Sequence, residues 1–141
     1  MIRLAIDYGR KRAGIAITDN TSKIIIPYKV IKYDNIKGFF EQIAKIFEEV
    51  NPEEVILGLP LNMDGTESDM SREVRGLAKG LKRIKDTGIV FYDERLTTFE
   101  AQQILTEQGI SAKKQKEIID MYSAYCILRS YINELKEKDN A

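Results

Sequence analysis

The chain has 141 residues, 43% of them hydrophobic, a length that suits one globular domain with a sizeable core. Lys plus Arg and Asp plus Glu both number 22, so net charge argues neither for nor against a nucleic-acid partner. With no histidine, Ser–His and Cys–His catalysis and His-ligated zinc are excluded. The single cysteine, Cys126, offers no disulfide framework, the sequence contains no long apolar span, and we expect no signal peptide. We therefore expect a cytoplasmic protein that does not enter a membrane.

Three antiparallel strands are predicted at the start of the chain. Residues 2–9 form an apolar strand, residues 10–19 are its hairpin partner, and residues 23–33 form a third strand in which Pro27 indicates an edge or a bulge. Asp34 can cap a helix that runs to about Val50.

Strands and helices alternate after that point. The remaining predictions are a buried strand over 54–59, a loop over 60–69, a helix over about 70–84, a strand over 88–92, a helix from Thr97 or Thr98 to about Gln108, and a last helix over about 114–136. The order βββαβαβαα implies an α/β fold with a mixed sheet covered on both faces. We expect one domain over residues 1–137 and a flexible tail over 138–141.

Three acidic residues interrupt elements that are otherwise apolar or ordered. Asp7 ends the first strand, Glu94 ends the fifth, and Asp120 lies in the last helix. A carboxylate at the end of an apolar strand loses solvation unless a cation, a metal or a donor compensates it. Converging carboxylates suit Mg²⁺ or Mn²⁺, which prefer oxygen ligands. Taken singly, each acid favours a structural interpretation, in which Glu94 pairs with Arg95 or another arginine and Asp120 is a solvated helix residue.

Four motifs in a fixed order carry a resemblance that covers nearly the whole chain. They are Ile6-Asp7-Tyr8-Gly9 with Arg12-Ala13-Gly14-Ile15-Ala16, then Gly58-Leu59-Pro60-Leu61-Asn62-Met63-Asp64-Gly65-Thr66, then Asp93-Glu94-Arg95-Leu96-Thr97-Thr98 with Ala101, and finally Lys113-Lys114 ahead of Asp120, Ser123 and Ala124. The sequence resembles the YqgF (RuvX) family of the RNase H-like superfamily. Ser123 departs from the alanine that is common in the family.

The resemblance implies an RNase H-like fold, with five strands of which the second runs antiparallel to the rest. It implies a Mg²⁺- or Mn²⁺-dependent nuclease whose catalytic and metal-binding acids are Asp7, Glu94 and Asp120. The family is described in two ways, as enzymes that process the 5′ end of pre-16S rRNA and as Holliday-junction resolvases. We expect the first activity, with branched-DNA resolution as the alternative.

Several basic and polar residues are candidates for contact with nucleic acid. They lie beside the acids, in the 60–69 loop or at the start of the last helix, where they could contact phosphates without reading bases. The candidates are Arg10, Lys11, Arg12, Asn62, Thr66, Arg95, Lys113 and Lys114.

Two other function classes remain open from the residues alone. Asp-x-Gly after a strand also begins the phosphate site of kinase-like and actin-like ATPases, but those proteins bind nucleotide between two duplicated domains. A non-catalytic RNA-binding or ribosome-associated factor that retains the fold is the other alternative. A resolvase that cuts two strands symmetrically should be a twofold dimer, whereas a processing nuclease can be a monomer.

Overall fold

The computed structural model describes residues 1–94 and 97–139. Its elements, in chain order, are β1 (Arg3–Tyr8), β2 (Arg12–Thr18), β3 (Ile25–Lys32), α1 (Ile36–Val50), β4 (Glu54–Leu59), α2 (Asp69–Gly76), α3 (Ala78–Ile84), β5 (Gly88–Asp93), α4 (Thr97–Glu107) and α5 (Ala112–Asp139). Among these helices, none is long and apolar enough to cross a lipid bilayer.

The strands form one five-stranded sheet in the order β3-β2-β1-β4-β5. β2 pairs antiparallel with both β1 and β3, whereas β1, β4 and β5 run parallel to one another. β2 is therefore the strand that opposes the rest, which confirms the expected mixed sheet. The carboxyl ends of β1, β4 and β5 meet at one edge, where ligands bind in open α/β sheets.

Alternation along β1 divides the molecule into two cores. Leu4 and Ile6 face one side of the sheet, while Ala5 faces the other. The first side packs on α1, α2 and α3, with the buried residues Phe39, Ile43, Ile46, Val74 and Leu81. The second side packs on α5, with the buried residues Ala124, Ile127, Leu128 and Ile132. Both faces of the sheet are thus covered, as the order of elements predicted.

Three details differ from the sequence prediction. The helix expected over 70–84 is divided into α2 and α3 at Leu77, directly after Gly76, a residue type that stabilises helices poorly. The cap of α1 is Asn35 instead of Asp34, because the Asn35 side chain accepts the Gly38 amide. α5 continues to Asp139, about three residues beyond its predicted end, so residues 138 and 139 of the expected tail are helical; residues 140–141 lie outside the described part of the chain.

Pro27 lies where the sequence predicted an irregularity. β3 is an edge strand, and its register with β2 shifts between Ile15 and Ala16, which pair with Lys29 and Pro27. Tyr28 is therefore the extra residue of a β-bulge. Proline has no amide to donate, so it is tolerated at this edge position.

α5 crosses the sheet in direct backbone contact with β2. A Cβ built on Gly14 would lie 1.8 Å from the carbonyl oxygen of Asp120, so no side chain fits between the strand and the helix. Gly14 pairs with Asp7 of β1 in the antiparallel register. The helix is thereby seated directly over the strand end that carries Asp7.

We predict that Gly14→Ala destabilises the protein by roughly 2–4 kcal/mol, because the added methyl group forces α5 away from β2. Urea unfolding followed by circular dichroism measures the change. Gly76→Ala is the matched control: its Cβ meets nothing within 4 Å, and alanine at this helical position should be neutral or stabilising. Equal stability of the Gly14→Ala and wild-type proteins would contradict the proposed close contact.

Candidate functional site

Asp7 lies in a gap between two glycines at the carboxyl end of β1. Its neighbour in β2 is Gly14, and β4 places Gly58 on the other side, one residue beyond the Ile6–Leu57 pair. Asp7 lies on the face of the sheet that α5 covers, as does Ala5 two residues earlier. The missing side chains on both sides leave room for other groups to approach the Asp7 carboxyl.

Glu94 occupies the gap above Gly58. A Cβ on Gly58 would lie 2.5 Å from Glu94 Oε2 and 2.6 Å from Ile127 Cδ1, so the carboxyl group lies beside an apolar side chain of α5. The backbone is fixed on both sides. The Glu94 amide donates to the Leu59 carbonyl at 3.1 Å, and the Glu94 carbonyl accepts both the amide and the hydroxyl of Thr97 at 3.1 Å. Glu94 is only 8% exposed.

The Asp7 and Glu94 carboxyl groups are hydrogen-bonded to each other. Burial raises the pKa of both groups, and the Asp7 charge raises the pKa of Glu94 further. A hydrogen bond between two carboxyl oxygens needs a proton on one of them. This hydrogen bond lowers the pKa of Asp7 and raises that of Glu94, which favours Glu94 as the carrier of the proton at neutral pH.

Asp120 reaches the same edge of the sheet from α5. Its Oδ2 atom accepts from Arg12 Nε at 2.6 Å, and its side chain is 21% exposed. Burial raises the pKa of Asp120, while the Arg12 guanidinium acts against that shift. Asp120 in turn raises the pKa of Asp7 through charge repulsion. The three predicted acids thus share one electrostatic environment.

The predicted basic residues of the β1–β2 hairpin have separate partners. Arg10 forms a bidentate contact with Glu73 of α2, at 2.7 and 3.1 Å, and Lys11 Nζ donates to the Asp34 carbonyl at 3.1 Å. Only Arg12 contacts one of the three acids among the hairpin residues Arg10, Lys11 and Arg12. Arg95, also predicted to contact nucleic acid, lies outside the described residues.

The loop between β4 and α2 is held by its own polar side chains. Asn62 Nδ2 donates to Thr66 Oγ1 at 3.0 Å, and Asp64 accepts the Thr66 amide at 3.0 Å. Asn62 nevertheless lines an open cleft of about 540 Å³ together with Arg10 and Arg72. The structure therefore brings two predicted contact residues, Arg10 and Asn62, into one cleft, and Thr66 is hydrogen-bonded to Asn62.

Lys113 and Lys114 lie in the first turn of α5. Lys113 precedes Asp120 by seven residues, which is about two helical turns and places both on one side of the helix. Lys114 pairs with Glu117 at 3.5 Å, and both lysines are exposed. A polyanion that passes Asp120 along the helix would reach Lys113 about 10 Å away.

Comparison with known proteins identifies the group to which the chain is related. A family model described as "RuvX: Holliday junction resolvase" matches residues 1–134. The chain belongs to the RuvX family. It is 39% identical over 131 residues to a protein of Endomicrobium trichonymphae, with 92% of this chain and 94% of that one covered. It is 38% identical over 136 residues to one of Thermoanaerobacter pseudethanolicus, with 96% and 98% covered. Both relatives are named "Putative pre-16S rRNA nuclease".

Solved structures confirm the RNase H-like fold of this RuvX-family chain. A fowlpox virus resolvase bound to its Holliday-junction substrate superimposes with a TM-score of 0.64 at 20% identity, covering 96% of this chain and 99% of the viral one. Thermus thermophilus RuvC, also bound to a Holliday-junction substrate, has a TM-score of 0.58 at 11% identity, with 91% and 90% covered. At these identities the likeness establishes the fold.

The donor set of this RuvX-family site fits a hard divalent cation in part. Asp7 and Glu94 supply adjacent carboxyl oxygens, and a cation would counter the burial, and the smaller charge repulsion, that raise their pKa values. Among the described residues, no group of three or more acidic, cysteine or histidine side chains already forms a metal cluster. Asp120 is instead held by Arg12. Ser123 Oγ, three residues further along α5, is buried without a hydrogen-bond partner. This region therefore contains a buried polar atom whose hydrogen-bonding capacity is unused.

Sequence reasoning missed several neighbours of the three candidate acids. Tyr33 is buried, donates its hydroxyl to the Gly9 carbonyl, and has a raised pKa because of burial and the nearby charges. Ile127 supplies the apolar contact to Glu94. Thr97, considered only as a helix cap, anchors the Glu94 backbone and lines a cavity of about 350 Å³ beside it. Glycine at 58 inside a buried strand was the sequence signal for this close approach.

We predict that Glu94→Gln flattens the pH dependence of stability. In the unfolded chain, Glu94 loses its proton near its ordinary pKa of 4.5, whereas in the folded protein it keeps the proton to higher pH. The stability of the wild-type protein should therefore fall as the pH rises from 4.5 through the raised pKa. Glutamine keeps the hydrogen bond without this dependence. Between pH 5 and pH 8, the free energy of unfolding of Glu94→Gln should rise relative to that of wild type by on the order of 1–3 kcal/mol.

Urea unfolding at several pH values measures this difference. Glu48→Gln, on the exposed surface of α1, is the matched control and should follow the wild-type profile. Parallel pH profiles for Glu94→Gln and wild type would contradict a raised pKa at Glu94.

Proposed function

We propose that the protein is a divalent-metal-dependent nuclease that hydrolyses phosphodiester bonds at the 5′ end of pre-16S rRNA. The observation that carries the proposal is the hydrogen-bonded Asp7–Glu94 pair, with Asp120 beside it, at the carboxyl edge of the sheet. RuvX-family membership and the shared name of the relatives support this reaction class and this substrate.

Asp7 and Glu94 would hold Mg²⁺ or Mn²⁺, with Asp120 as a further oxygen donor. When bound, the ion would activate water and neutralise charge on the phosphodiester. The carboxyl pair must give up its shared proton to act as ligand, so cation binding should strengthen with rising pH. Thr97 and the Leu59 carbonyl hold the Glu94 backbone, and Ile127 limits water on one side of its carboxyl.

The surrounding basic residues would bind and orient the substrate backbone. Arg10 and Lys11 lie on the hairpin beside Asp7, and Lys113 and Lys114 lie along α5 from Asp120. Asn62 and Arg10 face one cleft, which would receive a strand that leaves the acids on the side of α2. Such contacts position phosphates without reading sequence, so RNA shape would determine where the protein binds.

Resolution of branched DNA is the second candidate. The RuvX family model is described as a Holliday junction resolvase, which favours that substrate. Symmetric cutting of a junction requires two active sites related by a twofold axis. A homodimer in solution that cleaves four-way DNA in preference to RNA would support resolution, whereas a monomer that cleaves RNA would support processing.

We predict that Asp7→Asn lowers metal-dependent cleavage by at least about 100-fold, because the amide oxygen is a weaker and uncharged donor. Wild type and variant would be incubated with pre-16S rRNA 5′ leader, a four-way DNA junction and single strands, with Mg²⁺ or with a chelator. Asp86→Asn, an exposed carboxylate before β5, is the matched control and should cleave like wild type.

Equal cleavage by wild type and Asp7→Asn would overturn the catalytic assignment. Tight RNA binding without any metal-dependent cleavage would indicate a non-catalytic factor. Binding of ATP without binding of nucleic acid would indicate a kinase-like phosphate site.

We predict that Lys113→Ala/Lys114→Ala weakens nucleic-acid binding about equally for different sequences. Each lost phosphate contact should reduce the slope of log affinity against log salt by roughly 1. Fluorescence anisotropy from 50 to 300 mM salt, with Ca²⁺ in place of Mg²⁺, measures both quantities. Lys136→Ala/Lys138→Ala removes the same charge from the far end of α5 and should leave the slope unchanged. Identical slopes for the two double variants would contradict a contact at Lys113 and Lys114.

A further inference from the structure

The Arg12–Asp120 ion pair lies inside the cluster of acids, unlike the other arginine pairs near this edge. Arg10 is bound to Glu73, Arg72 to Asp69, and Arg75 to Glu67, and these three acidic partners all lie on α2 or in the loop before it. Arg12 instead contacts Asp120 at 2.6 Å and also lowers the pKa of Asp7. One guanidinium thus offsets the charge of two of the three acids.

The position of Arg12 is fixed by the hairpin, while its side chain remains accessible. The Arg12 carbonyl accepts the Gly9 amide at 2.9 Å, and the residue pairs with Lys32 of β3. Arg12 lies on the same face of β2 as Gly14 and Ala16, the face that α5 covers. Its side chain is nevertheless 53% exposed, so the guanidinium can turn away from Asp120 without disturbing the core.

A guanidinium and a divalent cation make opposing demands on the same carboxylate. While Asp120 accepts a hydrogen bond from Arg12, its Oδ2 atom is occupied by the guanidinium. The positive charge of Arg12 then also lies close to Asp7. Both effects disfavour a second cation. Arginine also binds phosphate oxygens in the same bidentate manner as it binds a carboxylate. The residue therefore has an alternative partner when a nucleic-acid backbone arrives.

We propose that Arg12 is an exchangeable counter-cation: it holds Asp120 in the resting protein, yields that carboxylate to the divalent cation, and then binds a phosphate of the substrate next to the cleaved bond. This inference rests on the proposed metal-dependent nuclease. It assigns Arg12 a positioning role with two successive partners, and it predicts effects of opposite sign on metal binding and on nucleic-acid binding.

The test measures Mn²⁺ binding to the intact protein by calorimetry and by electron paramagnetic resonance, without substrate. Arg12→Gln should bind Mn²⁺ roughly 3- to 10-fold more tightly than wild type, because the competing charge is gone. The same variant should bind RNA or junction DNA more weakly in Ca²⁺. Arg12→Lys keeps the charge and should bind Mn²⁺ with an affinity close to that of wild type.

Two controls separate this competition from general effects of charge or folding. Arg10→Gln removes an arginine of similar exposure from the same hairpin, but one paired with Glu73, and should leave Mn²⁺ affinity unchanged. In an Asp120→Asn background, Arg12→Gln should have a smaller effect than in wild type, because the contested carboxylate is absent. A merely structural Arg12 would lower both affinities when replaced.

The outcomes distinguish this inference from the proposed function. Mn²⁺ binding by wild type with equal or weaker binding by Arg12→Gln would overturn the exchange and leave the nuclease proposal intact. An absence of Mn²⁺ binding by both proteins would overturn the exchange together with the metal dependence of the proposed function.

Discussion

Two missing side chains, at Gly14 and Gly58, are the constraint on which the site depends. They flank Asp7 in the neighbouring strands β2 and β4, on the face that α5 covers. The space above Gly14 is filled by the backbone of Asp120, and the space above Gly58 by the carboxyl group of Glu94. A methyl group at either position would separate elements that bring the acids together. Asp120 is thus positioned by contact of its own backbone with β2, and Glu94 by contact of its carboxyl group with the backbone of β4.

This close approach has an electrostatic cost that the surrounding residues reduce. Three carboxyl groups at one partly buried edge would repel one another if all were ionised. The Asp7–Glu94 pair lowers that repulsion by sharing a proton, and Arg12 offsets the charge of Asp120. Because no histidine is present, neither response uses a group that ordinarily titrates near neutral pH. The remaining negative charge favours binding of a hard cation. Once bound, that cation would favour the approach of a polyanionic substrate.

Much of the architecture could be predicted because it depends on local pattern. Short apolar runs predicted the five strands, and Pro27 correctly indicated the irregular edge of the sheet. The acids could be placed at one edge because Asp7 and Glu94 follow strands that run parallel. The division of the second helix at Leu77 was not predicted, because Gly76 lowers helix propensity there but propensity alone does not determine where a helix breaks.

The contacts of individual side chains could also not be predicted from the sequence. Arg12 and Asp120 are distant along the chain, and their contact depends on how closely α5 lies on β2. Tyr33 reaches the Gly9 carbonyl from a neighbouring strand end for the same reason. Such contacts follow from tertiary packing and rotamer choice, which single-residue patterns do not encode.

The bulged outer strand has a consequence for self-association. Ile24 and Ile26 are exposed there, and an open row of amides and carbonyls beside apolar side chains would normally recruit a second strand. Pro27 lacks the amide that such pairing requires, and the extra residue Tyr28 interrupts the ladder. Sheet extension is thereby discouraged at this margin despite its apolar surface. If two copies assemble to cut a symmetric substrate, we expect them to meet at a surface other than this edge.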